Sequence, residues 1–328
     1  MKYIHKNLII AALSLLLIAS IVGNLLLYRH SQNIEKRYVE ARDKPQFKLL
    51  SPNIAWMNTE DFVQVQKSYS IEYQGMKDKI LNITNNSNYE GYYGIYFEDL
   101  NTGAWIGINE KEEFVPASLL KIPVLVATLK KVENGELSFE QTVLINKDDL
   151  DLKSGTLGKK GAGYNITIKD LLTYLIKESD NTATNTFTNR ILTTEEFNNA
   201  RVAMGLNLNP NYGAISPKQY SNILRSLYYS TYLRRTFSEL ALSMMSQTDY
   251  NNQLPAGVPP EIHISHKIGF FFTPDGKAGY HDCGIIYYPD KPYILCVMSK
   301  QTTQNEANIV ISEISRVVYR YIDEKQKE

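Results

Sequence analysis

With only two cysteines, Cys283 and Cys296, in 328 residues, the chain has neither a disulfide-dense scaffold nor the paired spacing of a cysteine zinc site. It also lacks net charge, because Lys and Arg total 35 and Asp and Glu total 35. That balance leaves no electrostatic footprint for nucleic acid, which is excluded as a partner. Internal repeats and low-complexity tracts are missing too, so solenoid and array architectures are set aside. Tryptophan is scarce at 2 residues whereas tyrosine reaches 23, which suggests many half-buried amphipathic positions without favouring one function. What the chain does have is 43% hydrophobic residues, enough for one large core or two modest ones. The two cysteines flank a turn around Pro289-Asp290. They are either partners across adjacent strands or two small buried apolar residues.

Residues 8–28 form a charge-free run of 21 residues, roughly 30 Å as a helix and enough to cross a bilayer core. Lys2 and Lys6 precede it, which favours a cytoplasmic segment at residues 1–7 and an extracytoplasmic remainder. The run is long and no small-x-small cleavage site comes after it, so an uncleaved anchor is expected rather than a removed signal peptide. The expected location is therefore the cell membrane, with a single pass. Residues 29–60 are polar, interrupted by Pro45 and Pro52, and read as a stalk. Residues 61–328 are the expected folded domain.

Within that domain a helix is expected over 61–83, then two strands, 91–97 and 103–108, around the turn Asn101-Thr102-Gly103. Helices are expected over 119–132, 168–177, 182–191 and 194–204, where Gly205 stops the last. Three strands come next, 262–272, 281–288 and 293–299, and a closing amphipathic helix runs over 306–323. The expected class is α+β: an antiparallel sheet with the terminal helices on one face and an inserted all-α part.

Three short runs carry the chemistry. Ser118-Leu119-Leu120-Lys121 opens an apolar helix, so one turn brings the hydroxyl and the amine together, beside helix N–H groups able to stabilise an oxyanion. Alone it is an ordinary helix start. Ser179-Asp180-Asn181 lies 61 residues later and alone reads as a polar inter-helix turn. Lys267-Ile268-Gly269 places a lysine in an otherwise apolar strand, a position also common for an outward lysine on a sheet edge.

In this order the runs match the Ser-x-x-Lys, Ser-Asp-Asn and Lys-Thr-Gly set of penicillin-recognising serine enzymes. The chain resembles class A β-lactamases and the related D-alanyl-D-alanine peptidases from about Ser68 to Asp323, including Ser154-Gly155-Thr156-Leu157. The resemblance implies a β-lactamase/transpeptidase-like fold and an acyl-enzyme cycle on a β-lactam or a peptidoglycan-peptide-like substrate. Ser118 would be the nucleophile, Lys121 its base or relay, Ser179 the proton shuttle to the leaving nitrogen, and Lys267 the positive charge behind that shuttle. Asn181, Ile268, Gly269 and Phe270 would contact substrate, with the N–H groups of Ser118 and Phe270 forming the oxyanion hole. Asp180 would be structural. No metal or organic cofactor is implied.

Two departures bear on turnover. Class A enzymes carry a deacylating glutamate in a loop that here is the 13-residue run Gly205–Pro217, which holds no acid. Glu195 and Glu196 are the nearest carboxylates and fall in the preceding helix. Ile268 stands where the family has threonine, and Phe270 adds no hydroxyl, which weakens recognition of a substrate carboxylate. Weak β-lactam turnover is therefore expected. The alternatives are a serine esterase or amidase on another substrate and a non-catalytic, membrane-tethered wall-binding protein.

Overall fold

The computed structural model describes residues 23, 48–51, 73–86, 88–209, 213–272 and 278–327. The chain divides into two units, residues 1–48 and 49–328, and every strand among the described residues falls in the second. Apart from Gly23, the expected anchor at 8–28 lies outside the described residues, as does most of the stalk. No helix among the described residues is long and apolar enough to cross a membrane.

Five strands form one antiparallel sheet: β1 (Tyr92–Asp99), β2 (Trp105–Ile108), β5 (Ile264–Phe272), β6 (Ala278–Ile286) and β7 (Tyr293–Lys300), in the order β2-β1-β7-β6-β5. A small pair, β3 (Thr142–Leu144) and β4 (Asn165–Thr167), stands apart from it. Side chains alternate across a strand, and here both faces are buried. Ile95, Phe97, Tyr293, Leu295 and Val297 share a core with Met76 and Ile80 of α1 (Gln74–Thr84) and with Val310, Ile314 and Val318 of α8 (Gln304–Lys327). The two terminal helices thus cover one face, as expected. The expected helix over 61–83 is described only from Gln74 onward.

Among the described residues six α-helices are inserted between β2 and β5, and the last two of them pack on the other face of the sheet. The six are α2 (Lys121–Glu133), α3 (Ile168–Lys177), α4 (Asn181–Thr186), α5 (Thr194–Ala203), α6 (Pro217–Tyr228) and α7 (Arg235–Met245). Every residue of α2 from Lys121 to Leu129 is buried, which is why its sequence is apolar all round rather than striped. A π-helical turn, Phe187–Ile191, continues α4 in place of the longer helix expected there. Helices α6 and α7 are additions to the expected set. The first has a local signature, since Ser216 and Gln219 form a reciprocal capping box with Pro217 at the first helical position. Its Arg225 Nε donates to Glu98 Oε1 at 2.9 Å on the sheet, and Tyr96 Oη donates to Glu98 Oε2 at 2.9 Å. Leu50 and Ser51, within the expected stalk, are buried, and the Ser51 N–H donates to the Tyr228 carbonyl at 3.0 Å. The folded unit therefore reaches further toward the N-terminus than the expected boundary at residue 61.

Cys283 and Cys296 face each other in the β6/β7 register, are fully buried, and are joined by a disulfide. The bond links residues 13 apart in sequence, and closing so short a loop in the unfolded chain is worth about 3 kcal/mol. Replacing both cysteines with alanine is expected to lower unfolding free energy by about that amount in a urea titration. An unchanged midpoint would show that the bond adds nothing.

Candidate active site

Ser118 lies in a 3₁₀ turn, Ala117–Leu120, that leads directly into α2. Ala117 has φ of +49°, a left-handed conformation that is costly for a residue with a side chain and survives only where surroundings enforce it. Several contacts enforce it here. Tyr220 Oη of α6 donates to the Leu119 carbonyl at 3.1 Å, and the Phe114 and Ile215 backbones pair. Gly269 of β5 lets the strand come so near that a Cβ there would lie 2.8 Å from the Pro116 carbonyl oxygen.

His281, opposite Gly269 on β6, completes the clamp. The Ser299 N–H donates to Nδ1 at 3.1 Å, so the ring proton sits on Nε2, 2.8 Å from the Val115 carbonyl it serves. Burial holds this imidazole down to about 4, so it is neutral near pH 7. A lone histidine inside a strand gave no sequence signal of this task.

Lys121 is 4% exposed. Its Nζ lies 2.8 Å from Ser118 Oγ and 2.9 Å from Asn181 Oδ1. Burial lowers its pKa from 10.5 to about 8, against the opposing pull of Asp180 and Asp151. At pH 7 that leaves about a tenth of the amines neutral, compared with roughly one in three thousand for an ordinary lysine.

The Ser179-Asp180-Asn181 run bends sharply at Ser179, whose φ is +55°. Asp180 caps α4 through Oδ1, 2.8 Å from the Ala183 N–H, and its Oδ2 accepts the Leu157 N–H at 2.8 Å. The Ser154 hydroxyl donates to the Ser179 carbonyl at 2.9 Å, and the Asn181 N–H donates to the Ser154 carbonyl at 3.0 Å. Gly155 is required in this cradle: it has φ of +83°, and a Cβ there would lie 2.0 Å from Asp180 Oδ2. Asp180 is thus the pin that presents Ser179 to one side and Asn181 to the other.

Lys267 on β5 is fully buried, and its Nζ donates to Ser179 Oγ at 2.8 Å and to the Ile268 carbonyl at 3.2 Å. Burial, then repulsion from Lys121, lowers its pKa well below 10.5, while Asp282 opposes the shift. The outward, edge-strand reading of this lysine does not hold: β5 is an edge strand, yet the side chain turns inward to Ser179. The three runs, far apart in sequence, therefore form two contiguous pairs, Lys121 with Ser118 and Lys267 with Ser179.

A cavity of about 430 Å³ opens beside Ser118, lined by Lys121, Asn181, Leu120, Val124 and Phe197 among others, with Phe270 on its sheet side. Ile268 is buried and does not line it. No carboxylate lines it among the described residues. Glu196 accepts the Thr193 N–H at 2.7 Å as the cap of α5 and pairs with Lys131, and Glu195 is exposed outside the cavity. Sequence reasoning missed Leu120, Val124 and Phe197. The first two lie within six residues of Ser118 on one helical stretch, the spacing that would have flagged them. Among the described residues no cluster of three or more His, Cys, Asp or Glu could hold a metal ion.

The model of the β-lactamase enzyme family matches residues 75–322. The chain belongs to that family. β-Lactamase VEB-1 of Pseudomonas aeruginosa is 26% identical over 253 residues, covering 70% of this chain and 84% of the relative. Extended-spectrum β-lactamase PER-1 of the same organism is 25% identical over 239 residues, covering 65% of this chain and 77% of its own. Among solved structures, PBP-A superposes with a TM-score of 0.69 at 24% identity, over 76% of this chain and 96% of PBP-A. A PBP-A mutant solved as an acyl-enzyme complex with penicillin G has a TM-score of 0.68 at 24% identity, over 76% of this chain and 97% of its own. These likenesses establish the β-lactamase/transpeptidase-like fold.

Because His281 is held neutral at about 4 while an unfolded histidine titrates near 6.5, the unfolded chain takes up a proton first as pH falls. Stability from this group is full above pH 6.5 and is lost between about 6.5 and 4, by roughly 3 kcal/mol. His281→Gln is expected to be less stable at pH 7 and to lose less on acidification to pH 4. Parallel stability curves for the two proteins in urea titrations across that range would contradict the assignment.

Proposed function

We propose that the chain is a serine hydrolase or acyltransferase that forms an acyl-enzyme at Ser118 with a β-lactam or a D-Ala-D-Ala-type wall peptide, and that it turns β-lactams over slowly. The observation that carries this reading is the 2.8 Å approach of a lysine amine with a pKa of about 8 to the Ser118 hydroxyl. The Ser118 proton passes to neutral Lys121, Oγ attacks the amide carbonyl, and the oxyanion rests on the N–H groups of Ser118 and Phe270. When the C–N bond breaks, Ser179 gives its proton to the leaving nitrogen and is resupplied through Lys267. Asn181 orients Lys121 through Oδ1 and offers its amide N–H groups to substrate.

Slow turnover is a consequence of the cavity lining. Attack of water on the ester needs a base, and its loss is worth about 10²–10⁴-fold. With neither Glu195 nor Glu196 beside Ser118, the acyl-enzyme persists. The PBP-A acyl-enzyme with penicillin G supports the same chemistry on this fold. We place the domain outside the cell, tethered by residues 8–28. The buried Cys283–Cys296 bond supports an oxidising compartment. Phe270, which lines the cavity and brings no hydroxyl, favours one second reading, in which the same nucleophile serves an ester or amide lacking the β-lactam carboxylate.

Incubation with penicillin G is expected to add the full inhibitor mass to the wild type and none to Ser118→Ala. Lys121→Met is expected to slow acylation by about 10²–10⁴-fold. An unmodified wild type that also hydrolyses no ester, β-lactam or D-Ala-D-Ala peptide would sink the proposal. Fast, sustained nitrocefin hydrolysis would contradict only the slow turnover.

A further inference from the structure

The cavity beside Ser118 has a composition that says which acyl group it holds. Its walls past the nucleophile are Leu120 and Val124 of the helical stretch, Phe197 of α5 and Phe270 of β5. Besides Ser118 and Lys121 its polar lining is Asn181, at the start of α4, with Thr184 and Thr188, and both threonine hydroxyls are engaged with their own helical segment. The Thr184 hydroxyl donates to the Asp180 carbonyl at 2.9 Å, and the Thr188 hydroxyl donates to the Thr184 carbonyl at 3.1 Å. Neither threonine has a donor left for a ligand. Lys121 is the one cation in the lining and no arginine reaches it among the described residues; Arg190, Arg225 and Arg234 are paired with Asp149, Glu98 and Glu133. The volume of about 430 Å³ lies in the range of small-molecule sites.

We infer that this cavity is the seat of an apolar acyl chain, so that the preferred acyl donor carries a hydrocarbon or aryl group on the carbonyl side of the scissile bond. The inference rests on Ser118 being the nucleophile and adds the class of group it accepts. Transfer from an aryl ester forms the Oγ–C bond, breaks the C–O bond, moves the Ser118 proton to Lys121 and releases the phenolate; an alkyl ester releases its alcohol by taking the Ser179 proton. Once seated, the chain fills the space from which water would approach the ester, so longer chains both load faster and stay longer. Each methylene taken out of water contributes about fourfold to the loading step.

The test uses p-nitrophenyl acetate, butyrate and hexanoate, with p-nitrophenolate release and intact mass read together. Apparent second-order acylation is expected to rise at least tenfold from acetate to hexanoate, and the hexanoyl adduct is expected to outlive the acetyl adduct. The same preference is expected between β-lactams as faster acylation by penicillin G than by 6-aminopenicillanic acid, which lacks the phenylacetyl group. Phe197→Ser is expected to flatten the dependence on chain length, and Phe197→Leu to restore it. Rates that are level or fall with chain length, with the adduct still on Ser118, would overturn this inference and leave the nucleophile intact. No adduct together with no turnover of any ester, β-lactam or D-Ala-D-Ala peptide would overturn both.

Discussion

Two lysine amines are taken out of water at this site, and among the described residues no carboxylate hydrogen-bonds to either. Burying a charged ammonium without a partner is so unfavourable that the group lowers its pKa instead. For Lys121 that brings the amine to about 8, and for Lys267 the direction is the same and reinforced by the repulsion between the two. On the proposed mechanism the arrangement gives up stability to make a base out of a side chain that is otherwise protonated. The neighbouring serine hydroxyls and the Asn181 amide supply the hydrogen bonds that make the burial tolerable.

The rest of the fold holds that geometry in place. The Ser118 turn contains a left-handed Ala117, and it is gripped by the sheet through Gly269 and His281 and by α6 through Tyr220. Ser179 is also left-handed, and it is fixed by Asp180, which is buried and shared between the start of α4 and the Leu157 turn. Strain at two serine-bearing turns is thus opposed by buried hydrogen bonds to elements distant in sequence. The disulfide between β6 and β7 ties the middle of the sheet that backs both turns.

Much of this was legible in the sequence because it is local. The three motifs, the strand pairs and the terminal helix depend on spacing within a few residues, and helix 168–177 has the bounds its pattern implied. What escaped depends on partners far along the chain. Helix α6 has a local start signal in the Ser216/Gln219 capping box, whereas α7 begins after Arg234 with no side-chain cap to mark it. Nothing near His281 in sequence reveals that its ring reaches Val115, 166 residues away. The pairing of Cys283 with Cys296 stayed open until the β6/β7 register set them opposite. Gly155 reads as a turn residue, and only the position of Asp180 shows that a side chain there has no room.

The cavity unites the two departures from the family pattern. Among the described residues its lining holds aliphatic side chains and phenyl rings and no carboxylate, so on the proposed reading the walls that favour an apolar acyl chain also leave water without a base. The proposed chemistry depends on Lys121 being a neutral amine for an appreciable part of the time. Its ionisation is directly measurable by following the ε-carbon shift of ¹³C-labelled lysine through a pH titration, with Lys121→Arg to assign the resonance. The account predicts a midpoint near 8 for Lys121. A midpoint at the ordinary lysine value of 10.5 would contradict it.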